Sequence, residues 1–263
     1  MPLKYVALGV LALLIFGLNI YVYFIRDEKV VAQTQEIVVN VEMLGENSIV
    51  IQKVEPSVKK SSVTQEMIKH QVPFTSQAPL GEWWDPRQQY GCEEALSVMA
   101  MHWVKGEDIS FGEAREEILA IAEFQQEHYG MFEDTSIPDT ETRIFRGYYK
   151  YAYTKVRTGI SVEDIKEELY EGNIILVPVN GKTIQNPHYT PPGPLRHMIL
   201  VIGYDPETRT FITNDPGTKN GANFLYEEDI LASSLQNYAT GVDESIKDEP
   251  PSMLVVYSAE EII

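Results

Sequence analysis

The sequence predicts a domain of the α+β class, in which helices pack on an antiparallel β-sheet. Helical patterns occupy the chain from about residue 92 to residue 172, and short β-rich segments follow from residue 174 onward. A run of helices followed by a run of strands, without regular alternation, is typical of this class. With 263 residues, the chain has room for one sizeable domain and appendages.

The first predicted helix covers residues 92–105. Apolar side chains recur at helical spacing along it, and Gly106 follows as the residue that commonly ends a helix. These apolar side chains are Leu96, Met99, Ala100 and Trp103.

Three more helices are expected after it. The second begins with a capping box at Ser110 and runs toward Glu127. The third begins after Pro138, and the fourth opens at Ser161 and closes at Gly172.

The strands are predicted from short runs of aliphatic and β-branched residues in the second half of the chain. They cover residues 174–179, 197–204, 211–213 and 253–257.

The N-terminal part of the chain has a different character. Residues 5–25 form an almost uninterrupted apolar run, and about 20 residues of helix span the hydrocarbon core of a bilayer. This predicts one transmembrane helix within an anchor segment, 1–28. Residues 29–70 form a linker in which 36–54 alternate well enough for a hairpin, and the main domain is expected at 71–263.

A cleaved signal peptide is the alternative to an anchor. The apolar run is longer than the roughly 7–15 residues of a signal peptide, and the charged segment 26–29 follows it directly. Both observations favour an uncleaved anchor. Positive charges flank the run on both sides and set no orientation. The short N-terminus before a single anchor favours a C-terminal domain outside the cytoplasm.

Charge and cysteine count limit the function. A net charge of −18 argues against nucleic-acid binding, because the surface would repel phosphates. The single cysteine, Cys92, forms no internal disulfide and no multi-thiolate zinc site, so it is a core residue or a reactive thiol. No cofactor is expected. His188, His197 and Asp215 lack a ligand spacing of the His-x-x-x-His kind, so no metal is expected.

Cys92 lies in the first turn of the predicted helix, directly after Gly91. The unpaired backbone N–H groups and the helix dipole favour a thiolate there and lower the pKa of a cysteine. The charges of Glu93 and Glu94 partly oppose that effect. With a histidine nearby, such a thiolate is a nucleophile.

His197 stands at the start of a predicted strand and is either a structural or a catalytic histidine. The chain turns after Tyr204 and returns antiparallel. A three-residue loop pairs Tyr204 with Thr208 and places Asp215 directly opposite His197. Residues directly opposite have Cβ atoms about 4.5–5.5 Å apart, close enough for an acid to orient an imidazole.

A four-residue loop moves the register by one and places Asn214 on the face of His197 instead. Either side chain could hold the histidine tautomer. Asp215 precedes Pro216 and Gly217, a turn signal that places it at the end of a strand, and this favours Asp215.

Four segments together resemble one family. The chain is similar to the stand-alone relatives of the bacteriocin-processing cysteine peptidases (peptidase family thirty-nine), in the papain-like superfamily. The resemblance covers roughly residues 71–257. Its motifs are VPFTSQ at 72–77, GCEEAL at 91–96, RHMILVIGYD at 196–205 and ITNDP at 212–216.

The resemblance implies a papain-like fold, with Cys92 as nucleophile, His197 as general base and Asp215 as the residue that orients the histidine. It also implies a glutamine that donates to the oxyanion together with the backbone N–H of Cys92.

That glutamine is displaced in this sequence. Where the family usually has it, this chain has Trp84, Asp85 and Pro86. Gln77 fits the motif but requires an insertion, 78–90, before the nucleophile. Gln88 and Gln89 are only a few residues before Cys92, too few for the chain to turn and direct their side chains to the oxyanion. Gln77 is therefore the predicted donor.

Two aromatic residues are predicted to line the substrate cleft. Trp84 follows Trp83 shortly before Cys92, and Tyr189 lies in a proline-rich loop, 186–194, just before His197. The alternatives are core packing for the tryptophans and a plain connection for the loop.

The expected function is therefore thiol-dependent hydrolysis of a peptide or amide bond through a thioester. The partner is a peptide or protein substrate, and an anchored domain outside the cytoplasm makes cell-wall peptide a reasonable one. Two alternatives stay open. The same residues could serve a cell-wall amidase or a transglutaminase-like acyltransferase, or the domain could be a catalytically silent binding module, as the displaced glutamine suggests.

Overall fold

The computed structural model describes residues 66–241 and 249–258. The predicted anchor at 5–25 and the predicted hairpin at 36–54 lie outside these residues. Within them, no helix combines the length and the apolar character that crossing a membrane requires.

In the described part of the chain, seven antiparallel strands form one sheet, in the order β2-β7-β3-β4-β5-β6 with β1 joined to β4. The strands are β1 (Ile68–Lys69), β2 (Thr154–Thr158), β3 (Ile174–Val179), β4 (His197–Asp205), β5 (Thr210–Asn214), β6 (Phe224–Glu227) and β7 (Ser252–Val256).

Most of the helices precede the central strands, and the predicted α+β class is confirmed. The helices are α1 (Pro86–Gln89), α2 (Cys92–Lys105), α3 (Phe111–Tyr129), α4 (Ile137–Asp139), a π-helix (Thr140–Tyr148), α5 (Val162–Tyr170) and α6 (Glu228–Ser234).

The bounds of α2 agree with the prediction, and Gly106 ends it in the left-handed conformation. The capping box at Ser110 is also present. The predicted third helix is partly wrong, because it begins at Ile137 and continues as a π-helix. Pro138 fits inside its first turn, where a missing N–H breaks no helical hydrogen bond.

The sheet is buried on both faces. Met198, Leu200 and Ile202 of β4 belong to an apolar cluster that includes Leu96 of α2. The alternating residues of β4 belong to a second cluster, which includes side chains of α5. Cys92 belongs to the first cluster, so α2 fixes the position of the thiol against this face of the sheet.

Both predicted registers of β4 and β5 are wrong. Tyr204 pairs with Phe211 and Asp205 with Thr210, so the loop contains residues 206–209. The Asp205 carboxylate accepts hydrogen bonds inside this loop from Glu207 N and Thr208 Oγ1, each at 2.9 Å. These bonds stabilise a four-residue turn that begins one residue later than the four-residue alternative assumed, because Asp205 still belongs to the strand.

A bulge between Val201 and Gly203 shifts the register once more. The pairing ends with Leu200 opposite Asn214, so Asp215 lies just beyond β5 and has no partner directly opposite. Its approach to His197 therefore depends on the turn that follows the strand.

β1 lies at the end of β4 that is remote from His197. Ile68 pairs with Tyr204 and Lys69 with Gly203. The sheet thus already includes residues before position 71, where the sequence predicts the domain to begin. From β1 the chain runs toward Gln77, whose backbone N–H donates to the Pro216 carbonyl at 2.9 Å.

Candidate active site

Cys92 and His197 line one cavity of about 570 Å³, at the N-terminal end of α2 and the first residue of β4. Gln77, Tyr189 and Gly217 line the same cavity. The fold thus brings together three segments that are far apart in the sequence.

The position of the thiol follows from a tight turn between α1 and α2. The Asp85 carboxylate caps α1 by accepting from Arg87 N at 3.0 Å. A Cβ on Gly91 would lie 2.6 Å from the Arg87 carbonyl oxygen, so this turn accommodates only glycine without a backbone shift. Cys92 is therefore the first residue of α2, where backbone N–H groups have no partner within the helix.

The Asp215 carboxylate holds the imidazole of His197. Asp215 Oδ1 lies 2.8 Å from His197 Nε2. The side chain of Asn214, the alternative orienting residue, instead donates to the carbonyls of Val72 and Pro73.

Asp215 is completely buried and accepts five hydrogen bonds. Its Oδ1 also accepts from Gly217 N at 3.0 Å. Three side chains donate to its Oδ2, namely Asn186 at 2.9 Å, Tyr189 at 2.6 Å and Tyr226 at 2.5 Å.

These interactions set the charge of Asp215 and the tautomer of His197. Burial acts to raise the pKa of Asp215, but the charge of His197 and the hydrogen bonds lower it to about 2. Since the carboxylate is ionised at neutral pH, the proton between the two groups belongs to His197 Nε2. The other ring nitrogen, Nδ1, is then the one that takes a proton.

The surroundings of the thiol correct one prediction. Cys92 Sγ donates to Glu93 Oε2 at 3.1 Å. Burial, followed by the charges of Glu93 and Asp134, raises the pKa of the Cys92 thiol well above its usual value. The predicted lowering of the Cys92 pKa by the N-terminus of α2 is therefore wrong. Desolvation and the two carboxylates outweigh the effect of the helix N–H groups on the thiolate.

Gln77 is buried and its amide is engaged. Nε2 donates to the carbonyls of Gln88 at 3.0 Å and Gln89 at 2.8 Å, which uses both of its hydrogens. Oε1 is buried without a hydrogen-bond partner among the described residues. Gln77 therefore lines the cavity, but in this arrangement it connects the chain before α1 to the end of that helix.

A sequence model of the Peptidase_C39 like family matches residues 69–243, more than half of the chain. The chain belongs to this family. The resemblance carried by the four motifs is thereby confirmed, and membership in the Peptidase_C39 like family indicates a cysteine peptidase.

No curated protein matches the chain significantly in sequence. Among solved structures, a crystal structure of a candidate C39-like peptidase from Bacillus anthracis is 14% identical, with a TM-score of 0.40. The match covers 73% of this chain and 98% of the other. A likeness at this level carries no argument about function.

The two predicted substrate-binding residues of this Peptidase_C39 like chain differ in their placement. Tyr189 lines the cavity, and its ring meets the His197 imidazole edge-on at a centroid distance of 5.3 Å. Trp84 is 78% exposed and is not among the lining residues, whereas its neighbour Trp83 is.

Several residues of the site were not predicted from the sequence. Asn186 lies in the proline-rich loop that was singled out as a possible wall, and its amide supports Asp215 instead. Tyr226 lies on β6, a strand without a clear sequence signal. Gly217 was read only as a turn residue, but it packs against the His197 ring.

Within the described residues, no group of three or more His, Cys, Asp or Glu side chains could hold a metal ion. His188 Nδ1 lies 3.3 Å from Asn220 Nδ2.

Proposed function

We propose that the chain is a thiol hydrolase of papain-like fold that cleaves a peptide or amide bond with Cys92, His197 and Asp215. The observation that carries this proposal is the buried carboxylate of Asp215, both oxygens of which accept hydrogen bonds. It fixes His197 in the same cavity as a thiol at the start of a helix. An acid that merely paired with a histidine at the surface would not need to be buried and to accept five hydrogen bonds, as Asp215 does.

The reaction follows from these positions. His197 Nδ1 accepts the thiol proton, and Cys92 Sγ attacks the carbonyl carbon of the substrate. The backbone N–H of Cys92 donates to the oxyanion. The carbon–nitrogen bond breaks, the amine leaves with the proton from His197, and a thioester remains. Water, deprotonated by His197, then attacks the thioester. The carbon–sulfur bond breaks, the acyl part leaves as a carboxylic acid, and His197 returns the proton to Cys92 Sγ.

We further propose that residues 5–25 anchor this domain to a membrane, with the cleft outside the cytoplasm. The apolar length of that run supports the anchor. A peptide or protein, including cell-wall peptide, is then the substrate within reach. The cavity of about 570 Å³ is large enough to hold several side chains of a polypeptide.

The direct test replaces the nucleophile and the base. Cys92→Ala and His197→Ala should each reduce hydrolysis of an unstructured protein substrate by about a thousandfold or more, measured as kcat/KM. His102→Ala is the matched control, because His102 lies at the other end of α2 and bonds Glu117 and Asp108. Normal hydrolysis in Cys92→Ala would contradict the proposal.

The bond and the acceptor need a separate comparison. Purified peptidoglycan, an unstructured protein and a protein with an added primary amine distinguish amidase, peptidase and transglutaminase-like transfer. Soluble fragments from peptidoglycan indicate an amidase, fragments from the unstructured protein a peptidase, and covalent incorporation of the amine a transferase. Loss of that product in Cys92→Ala assigns the reaction to this thiol.

A catalytically silent binding domain is the second candidate, and the engaged amide of Gln77 favours it. In that case, the unmodified protein hydrolyses none of these substrates and its thiol reacts slowly with an alkylating agent. Peptide hydrolysis that depends on Cys92 excludes this candidate.

Gly217→Ala should lower kcat/KM about tenfold by moving the base. A Cβ on Gly217 would lie 2.9 Å from His197 Cε1 and 3.1 Å from Tyr189 Cε1, so the imidazole must shift. Gly112→Ala is the control, because a Cβ there meets no atom within 4 Å. Equal activity of the two variants would show that the Gly217 contact has no role in placing His197.

A further inference from the structure

We propose that Glu93 is a catalytic residue that controls the protonation of the nucleophile. While ionised, it holds the proton of the Cys92 thiol; once protonated, it donates a hydrogen bond to the thiolate. This inference rests on the proposed thiol hydrolase function, and it adds a second acid to the cysteine, histidine and aspartate.

The geometry places Glu93 directly on the reacting atom. Its Oε2 lies 3.1 Å from Cys92 Sγ, and its Oε1 accepts from the Tyr238 hydroxyl at 2.6 Å. Glu93 is completely buried, although a glutamate in the first turn of a helix ordinarily reaches solvent. One carboxylate oxygen is therefore dedicated to the sulfur and the other to a buried tyrosine.

Several titratable or charged groups face Glu93. From its own helix these are Cys92 and Glu94, and from the segment after α6 it is Tyr238. Asp134, between α3 and α4, also faces Glu93. Asp134 in turn interacts with His197, the first residue of β4, and pairs at 3.5 Å with Arg196, directly before that strand.

This environment lets Glu93 change its charge near neutral pH. Burial and the charge of Asp134 raise the pKa of Glu93 to about 7, against the opposing effect of the hydrogen bonds from Tyr238 and Cys92. Burial, followed by the charge of Glu93, raises the pKa of the neighbouring Glu94 well above its usual value.

The two states of Glu93 have opposite effects on the thiol. With Glu93 ionised, loss of the thiol proton would leave two negative charges in contact in a buried site. With Glu93 protonated, its hydroxyl donates to Sγ, and the thiol proton resides on His197 Nδ1. The reactive form therefore contains neutral Glu93, thiolate Cys92 and protonated His197, and it is lost as the pH rises through about 7.

The test is the alkylation rate of the full chain with iodoacetamide between about pH 5 and 9. Cys92 is the one cysteine of the sequence, so labelling by mass reports only this thiol. An ordinary thiol reacts faster as the pH rises. We expect the rate constant of the unmodified protein to fall as the pH rises above about 7.

Glu93→Gln should remove this decrease, because its amide donates to the thiolate at every pH. At pH 8 its rate constant should exceed that of the unmodified protein by about tenfold or more. Glu94→Gln is the matched control, since Glu94 is equally buried and accepts a hydrogen bond from Gln125 rather than from the sulfur. Its pH profile should follow the unmodified protein.

Two further variants test the proposal without changing Glu93 or Cys92. Tyr238→Phe removes a hydrogen bond that lowers the pKa of Glu93, so the decrease in rate should move to higher pH. Asp134→Asn removes a charge that raises this pKa, so the decrease should move to lower pH. Opposite shifts support the proposal even if Glu93→Gln does not fold.

A rate that rises steadily with pH in the unmodified protein, or identical profiles for it and Glu93→Gln, would overturn the inference. If Cys92→Ala still abolishes hydrolysis in that case, the role of Glu93 is rejected and the proposed thiol hydrolase function is kept. If hydrolysis survives in Cys92→Ala, the proposed function fails first, whatever the alkylation profile shows.

Discussion

Asp215→Ala is expected to lower kcat/KM for peptide hydrolysis by about a thousandfold and to reduce the free energy of unfolding by about 4 kcal/mol. Both effects have one cause. The carboxylate fixes the tautomer of His197 and also accepts hydrogen bonds from the hydroxyl groups of Tyr189 and Tyr226. Without it, buried donors have no acceptor, and each costs roughly 1–3 kcal/mol.

Rates on an unstructured peptide and unfolding in guanidinium chloride check this prediction. Asp205→Ala is the matched control, since this carboxylate caps the loop at the opposite end of the same hairpin. This variant should lower the free energy of unfolding far less than Asp215→Ala does and leave kcat/KM unchanged. A variant Asp215→Ala that keeps the activity of the unmodified protein would mean that His197 needs no acid partner.

Gly221→Ala is expected to lower kcat/KM by about a hundredfold and the free energy of unfolding by roughly 3 kcal/mol. A Cβ on Gly221 would lie 1.8 Å from the backbone oxygen of Asp215. The Asp215 backbone N–H donates to the Gly221 carbonyl at 3.0 Å, so the two chain segments cannot separate without losing that bond. The substitution therefore displaces Asp215 and, with it, His197.

The same two measurements apply, with Gly112→Ala as the control that adds a methyl group in open space. That variant should keep full activity and stability. If Gly221→Ala also keeps full activity, the backbone next to Asp215 moves without consequence, and the site is less rigid than its hydrogen bonds indicate.

The sequence predicted the elements whose signals are local. The apolar spacing and Gly106 gave the bounds of α2, and the buried run of β3 was predicted at its observed bounds. β2 and β6 were missed because they are edge strands of this sheet, where one neighbour suffices and a continuous apolar pattern is not required.

The approach of Asp215 to His197 was predictable, but the reason for their contact was not. The turn signal after Asp215 indicated a strand end, whereas its opposition to His197 was derived from a register that does not occur. Loop length and a bulge decide the register, and neither is visible in the apolar pattern. Asp215 still contacts His197 in the observed register, because its carboxylate reaches the imidazole from the turn that follows β5.

Orientation of single side chains was the least predictable feature. Trp83 and Trp84 are adjacent, and a short irregular segment directs only the first into the cavity. Glu93 and Glu94 look equivalent in sequence, yet one bonds the thiol and the other Gln125. Such differences follow from packing around a helix start, which the identity of two glutamates does not encode.

The pairing of β1 with the far end of β4 bears on how this protein could be attached to a surface. Tyr204, opposite Ile68, is seven residues along the strand from His197, or about 23 Å. The chain thus enters the sheet well away from the cavity. A bead or fluorophore coupled just before Ile68 should leave the cleft open to large polymeric substrates, so immobilised protein should process long and short peptides in the same ratio as free protein.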